Sequence, residues 1–92
     1  MRAVNIHITP LEQHVIDFVK KMRIEQGYTQ EELAMKMNLD SSFIGHVESP
    51  RRAHKYNLRH IQLLAEIFQC SPASFLPDNN EYLGKKFKKK ST

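Results

Sequence analysis

Two helix-start signals of the same kind, at Thr9-Pro10-Leu11-Glu12 and Thr29-Gln30-Glu31-Glu32, constrain this chain more than any other feature. Each places a hydroxyl at the N-cap and a glutamate three residues on. The two side chains can then satisfy each other's backbone N–H groups, which a helix start otherwise leaves unpaired. The first also has proline at the opening helical position, where its missing N–H costs nothing. Behind it Leu11, Val15, Phe18, Val19 and Met22 recur at the spacing of one amphipathic helical face. Gly27 suits the left-handed residue that ends a helix, and the second box follows two residues later. The first third of the chain is thereby committed to helix.

The same punctuation continues. The second helix is expected to run to about Met37, with Leu33, Ala34 and Met37 inward, and Asn38 can take the positive φ of a tight turn. Asp40 is expected to cap a third helix over residues 41–48 that holds Phe43, Ile44 and Val47. Pro50 disfavours helix at Ser49 and closes it near Glu48. Asn57 is placed to cap a fourth helix with Leu58, Ile61, Leu64, Ala65 and Phe68 on one face, and Ser71-Pro72 starts a single further turn. At the other end, Val4, Ile6 and Ile8 alternate with Asn5 and His7 as in a short strand. The expectation is an all-α domain of five helices over residues 9–77. An extended arm over residues 1–8 precedes it and a basic tail over residues 78–92 follows.

The chain has 92 residues and a net charge of +4, and the charge is unevenly placed. Lys85, Lys86, Lys88, Lys89 and Lys90 lie in the last eight residues, leaving nine basic and ten acidic side chains in residues 1–84. Arg51, Arg52, Lys55 and Arg59 form a second cluster, and no acid falls between Glu48 and Glu66. Local basicity on a near-neutral body suits a polyanionic partner such as nucleic acid. No apolar run exceeds three residues, so no membrane-spanning helix is expected. The opening residues lack the apolar core of a secretory signal, and a single cysteine allows no internal disulfide. A cytoplasmic location fits both.

The second and third helices, joined by a tight turn, carry the functional argument. Such a pair crosses steeply and leaves one side of its second helix exposed, so that this helix can enter a DNA major groove while the first lies across the backbone. Outward positions of the second member are Ser41, Ser42, Gly45 and His46. With Arg23, Gly27, Tyr28-Thr29-Gln30-Glu31-Glu32-Leu33-Ala34, Leu39, Ile44, Val47-Glu48, Leu58, Leu64-Ala65 and Phe75-Leu76, the chain resembles the Cro-like or XRE helix-turn-helix domains of phage repressors and bacterial regulators. The resemblance covers residues 16–75 and implies a compact lambda-repressor-like fold.

It also implies roles. Ser41, Ser42, Phe43 and His46 fall where that family reads base edges, Phe43 through apolar contact with a thymine methyl. Gln30, Arg51, Arg52 and Lys55 fall where it grips the DNA backbone. Arg23 and Glu48 match a structural ion pair. The implied protein is a sequence-specific transcriptional regulator binding double-stranded DNA, as a homodimer. The alternative is a protein-interaction module on the same fold, such as an antitoxin-like subunit holding a partner protein. Asn38 stands where the family often has glycine, and Ser49-Pro50 replaces its usual Asn-Gly, which re-aims the following loop.

No enzyme is expected. Cys70 has no identifiable activating base, and Glu31-Glu32 are accounted for by the capping box and the helix dipole. The five histidines show no zinc-like spacing with one another or with the cysteine, so no metal or cofactor is expected.

Overall fold

The computed structural model describes residues 8–78. Within them the chain forms α1 (Pro10–Glu25), α2 (Gln30–Lys36), α3 (Phe43–Glu48) and α4 (Leu58–Phe68), followed by a 3-10 turn at Pro72–Phe75. The fifth helix expected from Ser71-Pro72 is thus a single 3-10 turn. The N-terminal strand expected around Val4 and Ile6 and the lysine-rich tail lie outside the described residues.

The helix starts follow the capping chemistry. Thr9 Oγ1 accepts from the Glu12 N–H at 3.1 Å while Glu12 Oε1 accepts from the Thr9 N–H at 2.9 Å. Thr29 and Glu32 repeat this at 3.0 and 2.8 Å. Asn38 holds φ 59° and Gly27 holds φ 80°, each ending the helix before it. At α3 the expectation needs correcting. Ser41 and Ser42 form a turn ahead of the helix, and the N-cap is Ser42, whose side chain makes no capping bond. Asp40 does not cap; its Oδ1 accepts from the Ser42 N–H at 2.9 Å and from the Ser42 hydroxyl, folding the turn back on itself.

The α4 start holds a box of unusual composition. Asn57 Oδ1 accepts from the His60 N–H at 2.8 Å, and His60 Nδ1 accepts from the Asn57 N–H at 3.1 Å. That second bond needs an unprotonated Nδ1. Burial, and then the charge of neighbouring Arg59, hold the His60 pKa below its ordinary 6.5. A histidine depressed in the folded state stabilises it fully above the unfolded value, and that contribution is lost as pH falls through the folded value. Thermal melts are therefore expected to fall as pH drops below 6.5. His60→Gln keeps an acceptor at the same position and should remove this part of the pH dependence. An identical pH profile in the variant would take His60 out of the cap.

Val19, Leu33, Ile44, Leu64 and Phe75 are fully buried and join Ala34, Met37, Ala65 and Phe68 in one core. α2 packs on α3, α1 on α3 and on the 3-10 turn, and α4 on that turn. Phe75 locks the last contact. Its ring meets Phe18 edge-on at 4.9 Å and stacks on Phe68 at 6.4 Å. Burying such a ring is worth about 1.5–3 kcal/mol, so the short turn is held by packing rather than by its own hydrogen bonds. Ile16 is buried although it lies outside the expected face, whereas Leu58, expected inward, is 86% exposed.

Candidate nucleic-acid interface

The α2–α3 pair meets at a surface concavity of about 410 Å³ lined by Thr29, Gln30, Glu31, Ser41, Ser42, Gly45 and His46. Its position is set from beneath by one buried carboxylate. Glu48, in the last turn of α3, accepts from Arg23 of α1 through Nε at 2.9 Å and Nη2 at 3.0 Å. Arg23 also donates through Nη1 to the Tyr28 carbonyl at 2.8 Å, so the guanidinium ties α1, the loop before α2 and α3 together. The two side chains are only 11% and 3% exposed.

Gln30 belongs to the same network. Its Nε2 donates to Glu48 Oε1 at 2.9 Å. Its Oε1 would stand 3.1 Å from a Cβ placed at Gly45. The side-chain amide thus lies across α3 on a seat that exists because residue 45 has no side chain. Gly45→Ala should raise the stability of α3 by about 0.5–1 kcal/mol, since alanine forms helix better. That gain requires the Gln30 amide to give by a few tenths of an ångström to admit the methyl. The Gln30 side-chain NH2 resonances should shift in the variant while its melting temperature rises. A lowered melting temperature would show that the seat does not yield.

The remaining expected site residues divide. Ser41 and Ser42 are exposed on the concavity, and His46 is half-buried beside them. Phe43 is half-buried and packs inward. Its ring lies 4.8 Å from His60 and 6.0 Å, edge-on, from Tyr56, which joins α3 to the loop and to α4. Arg51 and Arg52 are exposed in the loop after α3, whose first turn is closed by the Arg52 N–H donating to the Ser49 carbonyl at 3.3 Å. Lys55 reaches the other way. Its ammonium pairs with Glu12 of α1 at 3.0 Å. The Glu12 carboxyl is held below its ordinary range, chiefly by the Thr9 backbone N–H and further by Lys55.

Two residues of this region did not stand out by sequence pattern. Tyr56 has a buried hydroxyl without a hydrogen-bond partner, and burial together with the nearby Glu48 charge pushes its pKa well up. His54 brings its ring to within 5.1 Å of His46. The only sequence signal for His54 was its place in the basic cluster.

No helix among the described residues is long and apolar enough to cross a membrane. A helix-turn-helix family model matches residues 19–75. Among curated proteins, none matches the chain. Several solved structures resemble it. The restriction-modification controller protein C.AhdI from Aeromonas hydrophila is 27% identical, with a TM-score of 0.59 over 68% of this chain and 92% of that one. The wild-type controller protein C.Esp1396I is 34% identical, with a TM-score of 0.56 over 67% and 79%. That same protein bound to a 25 base pair operator site gives a TM-score of 0.55 over the same shares. A hypothetical transcription factor from Neisseria is 25% identical, with a TM-score of 0.64 over 77% and 79%. With the α2–α3 pair, the Arg23–Glu48 tie and the family match in agreement, the chain belongs to the XRE-type helix-turn-helix family.

Proposed function

We propose that the protein is a cytoplasmic, sequence-specific transcriptional regulator that binds duplex DNA as a homodimer and lays α3 in the major groove. The observation that carries this is the outer face of α3. Ser41, Ser42 and His46 share one open concavity, and the exposed Arg51 and Arg52 follow α3 in the chain, on a fold similar to a controller protein seen on its operator. Ser41, Ser42 and His46 read base edges. Gln30, at the α2 N-terminus, and the two arginines meet phosphates, which position the protein without specifying sequence. Phe43 contributes by holding α3 against Tyr56 and His60, and its exposed part meets a thymine methyl.

Selection of bound duplexes from a random pool tests the reading, and a preferred site is the expected result. His46→Ala should then cost on the order of 1–3 kcal/mol on that site and little on random DNA. Equal losses on both would make His46 a positioning residue.

A second reading, a protein-interaction module on the same fold, draws on a different face. Leu58 and Leu76, 86% and 50% exposed, border an apolar groove of about 480 Å³ that Leu11, Val15 and Ile61 also line. Selection that yields no preferred duplex would favour this reading.

A further inference from the structure

His46 of α3 and His54 of the adjoining loop bring two metal-ligand side chains together, and base reading by His46 leaves His54 without a task. Their ring centroids are 5.1 Å apart and their planes tilt by 44°. An imidazole nitrogen binds Zn²⁺ at about 2.0–2.1 Å, which puts the ring centre roughly 3.2 Å from the ion, so two imidazoles on one tetrahedral ion have centres about 5 Å apart. The observed separation matches that spacing. The rings are not stacked flat, and the soft histidine χ2 torsion lets each ring turn a nitrogen toward a common point. His46 is fixed by α3, while His54 sits exposed in the adjoining loop and can follow an ion.

We infer that His46 and His54 form a two-ligand site for a transition-metal dication of the Zn²⁺, Ni²⁺ or Cu²⁺ class, beside the DNA-reading face. Imidazole suits these ions, whereas Mg²⁺ and Ca²⁺ take oxygen ligands. Among the described residues no third histidine, cysteine, aspartate or glutamate completes a protein cage, so water fills the remaining positions. Asp40, whose carboxylate accepts from the Ser42 N–H and hydroxyl, adds negative charge at the start of α3. The loop arginines oppose the ion. The result is a reversible clamp. An occupied clamp withdraws His46 from base edges, so the metal antagonises specific DNA binding. That consequence rests on the DNA-reading role of His46, but the site itself does not.

The test uses the full chain without DNA. Zn²⁺ and, separately, Mg²⁺ are titrated while histidine ring resonances are followed by NMR. Zn²⁺ is expected to shift His46 and His54 together, saturating at one equivalent, with His14 and His60 unmoved and Mg²⁺ without effect. His54→Ala should weaken Zn²⁺ binding about tenfold or more, since even an outer partner of a metal ligand is worth that much. Uniform shifts at all histidines, or unchanged Zn²⁺ affinity in His54→Ala and in His46→Ala, would overturn the site. Where Zn²⁺ does bind, adding one equivalent to the complex with the selected duplex should lower affinity for wild type and not for His54→Ala. Undiminished DNA affinity with the clamp filled would overturn the antagonism and the placing of His46 at base edges, leaving the metal site standing.

Discussion

Glu48→Ala is expected to destabilise the DNA-free protein by about 3–5 kcal/mol, the cost of leaving a buried charge without its partner. For a domain of this size that corresponds to a fall in melting temperature of roughly 12–40 °C. The magnitude follows from burial. The Arg23 side chain is 11% exposed, and loss of Glu48 removes two of its three hydrogen bonds, leaving the Tyr28 carbonyl. The Gln30 amide loses its acceptor as well. Replacing both partners with apolar residues of similar volume, as in Arg23→Met with Glu48→Leu, should recover much of the loss, because the larger part of it is the stranded charge rather than the missing attraction. A melting temperature within about 2 °C of wild type in Glu48→Ala would show that the guanidinium finds water or another acceptor, a milder cost than a stranded charge.

The largest effect on binding is expected from Arg51→Ala combined with Arg52→Ala. If each arginine neutralises one phosphate, the double variant should flatten the slope of log K against log salt by about 1.8 and weaken binding up to about 60-fold near 0.1 M salt. The loss should be similar on preferred and random duplexes, since phosphate contacts carry no sequence information. Lys55→Ala should flatten the slope less, because the Lys55 ammonium is already paired with Glu12 at 3.0 Å. Salt titration by fluorescence anisotropy on both duplexes measures all three variants. An unchanged slope in the double variant would take the loop off the DNA backbone.

His60→Gln and Gly45→Ala complete the set with small effects of defined sign. The variants are expected to separate by where they act: Glu48 on the core and, under the proposed function, the arginines on phosphates and His46 on bases.

How far the chain's own letters reach can be judged from particular elements. The starts of α1, α2 and α4 were legible because capping is local chemistry. Thr9, Thr29 and Asn57 each bond a backbone N–H three residues away, and no distant contact can cancel that. The stops at Gly27 and Asn38 were legible because positive φ restricts residue type. Gln69 was not. It closes α4 at φ 56° without the glycine that usually marks such a position, and the Cys70 N–H completes the turn on the Ala65 carbonyl at 3.0 Å.

What only the tertiary structure decided concerns direction. Periodicity places a residue on a helical face but does not say what stands opposite, so Leu58, expected inward, is exposed in the fold, and Ile16, absent from the expected face, is buried. Phe43, grouped with Ile44 and Val47 by periodicity and given a thymine contact by the family resemblance, packs inward, because Tyr56 and His60, brought back by the loop, meet its ring. Lys55 is basic by sequence and paired by structure, because that same loop returns it to Glu12. Charge and periodicity are properties of a residue and its near neighbours. Burial, pairing and the meeting of His46 with His54 depend on where the nine-residue loop between α3 and α4 returns in space, and only long-range packing decides that.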